Sequence, residues 1–188
     1  MKIAFAADPL SGFNLKKDST YAMMREANAR GHALYAFRHA DMIISGGRVL
    51  ANVSRIALTD EAGAWFSVEE TQLCPLSDFD VVVERTDPPF DMEYVYATYL
   101  LELAEAQGAR VVNRPAAIRD HNEKLAITGF SQFTAPTLVT SNAAQVRAFF
   151  AEHRDIILKP LDGMGGTGVF RVREDRSEEH TSELQSLA

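Results

Sequence analysis

Apolar and polar positions divide this chain into short alternating blocks. The run Lys2-Ile-Ala-Phe-Ala-Ala7 is apolar throughout and is halted by Asp8-Pro9, a pattern that predicts a buried strand. A polar loop with Ser11, Gly12, Asn14, Lys16 and Lys17 follows, and Asp18 or Ser19 then caps a helix that runs to Arg30 and stops at Gly31. Residues 32–37 read as a second strand. A β-α-β opening needs a crossover, so a parallel sheet is expected. Ile43-Ile44 and Val49-Leu50 flank Ser45-Gly46-Gly47-Arg48, which is a hairpin signal. Residues 51–77 give little beyond a short strand anchored by Trp65-Phe66.

The pattern sharpens again at Phe79-Asp80-Val-Val-Val-Glu84-Arg85, a buried strand whose carboxyl end is polar. An amphipathic helix over 92–107 ends before Gly108, residues 109–113 form the next strand, and Pro115 suits the first turn of another helix. In open α/β sheets ligands sit beyond the carboxyl ends of the strands. Two such ends are polar here, the loop from Asp8 to Lys17 and the pair Glu84-Arg85. Around residue 120 the organisation changes. Asn122-Glu123-Lys124 sits in or beside a short helix, residues 137–140 read as a strand, and Ser141 or Asn142 caps a helix over 143–153.

The chemistry concentrates in what comes next. Residues 156–158 and 169–172 have strand character, and between them lie four glycines in six residues: Gly163, Gly165, Gly166 and Gly168. Glycine lets backbone N–H groups converge on an anion and lets phosphate oxygens approach the main chain. A Walker A loop is excluded, because Val169 rather than lysine follows Gly168. Gly163-x-Gly165-x-x-Gly168 matches the dinucleotide fingerprint by letter, but that fingerprint must open a helix and Val-Phe-Arg-Val suits a strand. A glycine flap in a β-hairpin, as kinases hold over ATP, fits the flanks better, although here Lys159 precedes the loop. A glycine-rich turn without a ligand is the remaining alternative.

Composition narrows the partners. The 188 residues are 46% hydrophobic and 24% charged, ordinary for a globular protein, and suffice for one domain or two small ones. A formal net charge of −7 argues against nucleic acid or an anionic membrane, which are held mainly by Lys and Arg. The single cysteine, Cys74, lies in no metal-ligand spacing and reads as a buried, inert thiol. No apolar run could span a bilayer, and the first residues lack signal-peptide regions, so a cytoplasmic protein is expected.

Taken in order, several motifs resemble one family. Asp8-Pro9 with Asn14-Leu-Lys-Lys-Asp18-Ser19, Arg85-Thr-Asp-Pro-Pro-Phe-Asp91, Tyr96-Ala-Thr-Tyr-Leu-Leu-Glu102, Val112-Asn-Arg-Pro115, Asp120-His-Asn-Glu-Lys124 and Ile157-Leu-Lys-Pro-Leu-Asp-Gly-Met-Gly-Gly166 together resemble bacterial-type glutathione synthetase, an ATP-grasp ligase. The resemblance runs from residue 1 to about 174. It implies an α/β fold with an amino-terminal parallel-sheet (pre-ATP-grasp) domain over 1–120, followed by the first, incomplete part of an ATP-grasp domain over 121–175. It implies ATP and Mg2+ as cofactors, and γ-glutamylcysteine, glycine and ATP as small-molecule partners. The reaction would pass through an acyl phosphate on the cysteine carboxylate. Lys124, Lys159, Gly163, Met164, Gly165, Gly166, Thr167 and Gly168 are the implied ATP-binding residues, and Arg85 and Asn14 the implied substrate-binding ones. Arg85 would hold a dipeptide carboxylate through its planar fork; the alternative for it is a surface ion pair with Asp87 or Asp91. A homo-oligomer is implied for the complete enzyme.

The sequence departs from the family near its end. Residues 176–188 read as a translated sequencing adapter, and they are set aside from the fold as non-native. The family's metal ligands, transition-state arginines and glycine site belong to a later half, so no metal ligand or catalytic residue is assigned and the chain is expected to be an inactive fragment. Another ATP-grasp carboxylate-amine ligase would share the lysines and glycines but not Arg85-Thr-Asp-Pro-Pro-Phe at this spacing. A non-catalytic α/β ligand-binding or oligomerisation module with a vestigial flap is the third reading.

Overall fold

The structure, a computed structural model, describes residues 1–61, 64–163 and 166–174. The chain forms two compact units, Met1–Asp120 and His121–Ala188.

The first unit is built on a mixed sheet. Its elements are β1 (Lys2–Ala6), α1 (Ser19–Ala29), β2 (Ala33–Phe37), β3 (Met42–Ser45), β4 (Arg48–Glu61), β5 (Ala64–Pro75), β6 (Val81–Glu84), α2 (Met92–Ala106), β7 (Val111–Val112) and α3 (Pro115–Asp120). The strand order is β3-β4-β2-β1-β6-β7, with β5 added on the far side of β4. Strands β2, β1, β6 and β7 pair in parallel, as the β-α-β opening predicts, whereas β3, β4 and β5 extend the sheet antiparallel.

β1 sits mid-sheet and is buried on both faces. Successive side chains of a strand point to opposite faces. Ala4 and Ala6 therefore join the core that holds Tyr35, Phe37, Leu76, Val82 and α2's Leu101, while Phe5 and Ala7 join the core that holds α1's Met24 and Ala27. Side chains cap both helices. Asp18 accepts from the Tyr21 amide and Asp91 from the Tyr94 amide, each at 3.0 Å. Gly31, at φ +75°, takes the left-handed turn that ends α1, a conformation that favours glycine.

Between 51 and 77 the structure corrects the expectation of one short strand. β4 and β5 form a hairpin of 14 and 12 residues. The alternation is hidden because β4 serves two cores in turn. Its buried positions are first odd, Val49, Ala51 and Val53 beside α2's core, and then even, with Ile56 beside α1's core. β5 is exposed along most of its length and bulges at Glu69, which has no opposite number on β4 and pairs with Arg55 at 2.9 Å. Cys74 is buried as expected, and that burial pushes its thiol above its ordinary value.

The second unit contains a short 3-10 helix (Ala126–Phe133), α4 (Ala143–His153), β8 (Asp155–Leu158) and β9 (Phe170–Arg173). Asn142 caps α4 by accepting from the Ala144 amide at 2.9 Å. β8 and β9 pair antiparallel, close to the predicted limits, but residues 137–140 are not a strand. Among the described residues β8 and β9 pair only with each other, so that segment has no ladder to join. Ile156 is this unit's one buried hydrophobic residue among those described, while Phe133 is 83% and Phe130 59% exposed. A two-stranded hairpin with so little buried surface is marginal in water. Amide hydrogen exchange is therefore expected to be slow in β1, β2 and β6 and faster by orders of magnitude in β8 and β9. Equal protection in the two units would refute this.

Candidate functional site

In the first unit the candidate residues gather where the parallel strands end. The Arg85 amide donates to the Ala6 carbonyl at 2.8 Å, so Asp8, just past β1, lies beside residues 85–87, just past β6. The Asp87 amide closes this edge by donating to the Asp8 carboxylate at 2.8 Å.

Arg85 points to the start of α1. Its Nε donates to the Thr20 hydroxyl at 3.1 Å and its Nη2 to the Ser19 hydroxyl at 2.7 Å. It forms no ion pair with Asp87 or Asp91, and Asp91 instead caps α2. Asn14 is exposed in the turn before α1. Its carbonyl accepts from the Lys17 and Asp18 amides, and its side chain accepts from the Lys16 amide at 3.2 Å. Burial first, and then the nearby carboxylates of Asp8 and Asp18, raise the Asp87 carboxyl above its ordinary value, while Arg85 pulls it down. Cation and anions thus share one edge, which suits a ligand carrying both charges.

A buried network supports this edge. The Glu84 side chain, 2% exposed, lies behind Arg85. It accepts from the Thr86 amide at 2.9 Å, meets His39 Nε2 at 2.9 Å, and lies 3.4 Å from the Tyr94 hydroxyl. Tyr94 also donates to the Thr86 carbonyl at 3.0 Å, and Thr86 Oγ1 is 3.0 Å from His39 Nε2. Burial, then the Glu84 carboxylate, push the Tyr94 phenol well above its ordinary range, so it stays a donor. Sequence analysis marked Glu84 only as a polar strand end and missed His39, Thr86 and Tyr94 as its partners. His39 is 45 residues away in the chain, and no spacing rule connects it to Glu84.

In the second unit two of the predicted features meet. The Lys124 side chain is 19% exposed; its ammonium pairs with Glu123 at 2.7 Å and donates to the Gly163 carbonyl at 2.5 Å. Asn122 reinforces the contact, donating to the Leu161 carbonyl at 3.2 Å and accepting from the Lys124 amide at 2.9 Å. The start of the glycine loop is thereby docked on the turn that carries Lys124. Lys159 is exposed and has no partner among the described residues. Pro160 sets how tightly the loop folds back. A Cβ on Gly163 would lie 2.8 Å from the proline Cγ and one on Gly168 3.1 Å from it, so the close approach requires glycine. Gly166 and Gly168 adopt φ +84° and +69°, and Thr167 between them is exposed. Met164 and Gly165 lie outside the described residues. Among the described residues no cluster of three His, Cys, Asp or Glu side chains could hold a metal, and no helix is long and apolar enough to cross a membrane.

Comparison with known proteins decides the family. Residues 1–119 match the model of the prokaryotic glutathione synthetase N-terminal domain, and residues 123–186 match that of its ATP-grasp domain. The chain belongs to the prokaryotic glutathione synthetase family. It is 55% identical over 175 residues to a glutathione synthetase from Ralstonia nicotianae, an alignment covering 93% of this chain and 54% of the relative. The chain spans about half the length of the curated relatives it matches. Among solved structures, D-alanyl-alanine synthetase A from Vibrio cholerae superposes with a TM-score of 0.53 at 12% identity, covering 99% of this chain and 54% of that one. The ATP-grasp ligase PsnB, solved with its minimal precursor, Mg and ADP, gives 0.51 at 19% identity, covering 99% and 61%. At these identities the two structures establish the ATP-grasp fold for this glutathione synthetase family member and nothing finer.

Proposed function

We propose that this chain carries the dipeptide-binding and nucleotide-lid parts of a cytoplasmic, oligomeric ligase that joins γ-glutamylcysteine to glycine, with ATP and Mg2+ consumed and used as in its family. Arg85 and Asn14 take the dipeptide. Lys124, Lys159 and the loop Gly163, Met164, Gly165, Gly166, Thr167 and Gly168 take the nucleotide. The observation that carries this reading is the bond from Lys124 to the Gly163 carbonyl, which holds a cation at the mouth of a glycine loop. A lysine about 4 Å from a phosphate contributes roughly 4 kcal/mol at an effective dielectric near 20, before desolvation. Phosphate oxygens would replace the Gly163 carbonyl as its acceptor, and closure of the loop would keep water from an acyl phosphate. No residue described here is assigned to Mg2+.

Calorimetric titration of the chain tests the assignment. ATP with Mg2+ is expected to bind, and Lys124→Met or Lys159→Met to weaken that binding about tenfold or more while leaving dipeptide binding intact. Nucleotide affinity that is indifferent to both substitutions would sink the lid assignment.

A further inference from the structure

Thr86 lies just beyond the bond from the Arg85 amide to the Ala6 carbonyl, where β6 leaves the sheet, yet each of its polar groups is held. Its amide donates to Glu84 Oε1 at 2.9 Å, its carbonyl accepts from the Tyr94 hydroxyl at 3.0 Å, and its Oγ1 lies 3.0 Å from His39 Nε2. The three partners come from β6 itself, from α2 and from the short 3-10 turn His39–Asp41 that follows β2. Segments that leave a sheet are ordinarily the mobile ones. This one is tied to three elements, and its neighbours on either side are Arg85 and Asp87, the two signs of charge on the candidate edge.

His39 is set in one orientation. Asp41 fixes its turn, accepting from the Arg38 amide at 2.8 Å and pairing with the Arg38 guanidinium at 3.2 Å. The imidazole is 16% exposed and meets the Tyr94 ring edge-on at 4.9 Å. A carboxylate only accepts, so the proton facing Glu84 Oε2 at 2.9 Å sits on His39 Nε2, and Thr86 Oγ1 shares it as a second acceptor. Position 39 therefore has to supply a donor.

We propose that His39 is a positioning residue for the dipeptide: by holding the Thr86 hydroxyl from beyond β2, it fixes the separation of Arg85 and Asp87. This rests on the dipeptide reading of that edge. γ-Glutamylcysteine carries one ammonium and two carboxylates, and protein charges already held at a set spacing bind such a ligand without first having to be ordered. His39 acts through Thr86 and touches no ligand.

Calorimetry with γ-glutamylcysteine on the 188-residue chain tests this. Thr86→Val removes the hydroxyl and leaves the contact of His39 with Glu84 in place, so it should weaken the dipeptide about fivefold, the equivalent of one neutral hydrogen bond. Thr86→Ser keeps the hydroxyl and should bind as wild type does. His39→Phe keeps a ring against Tyr94 but has no donor, and should weaken binding at least as much; His39→Gln, which restores a donor, should recover most of the loss. Adding Thr86→Val to His39→Phe should cost little more, because both cut the same bond. Unfolding followed by Trp65 fluorescence identifies any variant that is not folded at the temperature of the titration. A second readout needs no ligand. In Thr86→Val and in His39→Phe the Asp87 amide, which donates to Asp8, should exchange with deuterium about tenfold faster, while that of Val82, bonded within the sheet, keeps its rate. A wild-type chain that gives no heat with the dipeptide, with Asp87 exchange accelerated in both variants, would remove the ligand reading and leave His39 as the residue that positions the edge. Unchanged affinity in both variants, or unchanged Asp87 exchange where wild type binds no dipeptide, overturns the proposal. So does a loss in Thr86→Val that His39→Phe does not share, since Thr86 would then touch the ligand itself.

Discussion

Replacing Glu84 by alanine is expected to destabilise the first unit by about 3–5 kcal/mol, a large part of the 5–15 kcal/mol typical of a whole domain. The carboxylate is 2% exposed and serves His39, the Thr86 amide and the Tyr94 hydroxyl together. Alanine leaves the Thr86 amide without its acceptor and takes one partner each from His39 and Tyr94, at about 1–3 kcal/mol for a group left unsatisfied, although Tyr94 keeps the Thr86 carbonyl and Thr86 Oγ1 keeps His39. Glu84→Gln preserves shape and one acceptor oxygen, so its cost should be smaller, about 1–2 kcal/mol. Trp65, the chain's single tryptophan, reports on this unit alone: its indole donates to the Leu10 carbonyl at 3.2 Å and its ring packs against Phe13 and Tyr21. Urea unfolding followed by its fluorescence should show the midpoint falling in the order wild type, Gln, Ala. An alanine variant as stable as wild type would mean that the network does not hold the strand end.

Arg85→Ala is expected to weaken γ-glutamylcysteine binding about 10- to 100-fold, the loss of one or two charge-assisted hydrogen bonds at roughly 1.5–3 kcal/mol. Stability should change little. The guanidinium is only half-buried, and the hydroxyls of Ser19 and Thr20 that it leaves can turn to water or to the helix backbone. Arg85→Lys should not restore affinity, because an ammonium cannot reproduce the fork that spans two oxygens. Calorimetry with the dipeptide, run beside the Trp65 unfolding curve, separates a binding loss from a folding loss. Unchanged dipeptide affinity in Arg85→Ala, with ATP binding intact, would remove Arg85 from the substrate site while leaving the nucleotide assignment in place.

These two expectations differ in how far the chain announced them. Arg85 was legible because a charged residue closes a β-branched run, and local pattern alone marks a strand end. Lys124 and the glycine loop were legible as types, yet their contact spans 39 residues and depends on Asn122 and Pro160 shaping the turn and the loop. The hydrophobic pattern determined β1, α1, β2, β6 and α2, because burial on one helix face or on both strand faces follows from short-range periodicity. Asp18 was legible as a cap, whereas Asp91 emerged as one only in the structure. Tertiary structure decided the rest. The long hairpin of β4 and β5 appears only once two cores exist for β4 to cross, and residues 137–140 stay unpaired because a strand is defined by its neighbour. Glu84 becomes the hub of a buried network only when the sheet brings β6 beside the residues that follow β2, because a hydrogen bond depends on distance in space and not on separation along the chain.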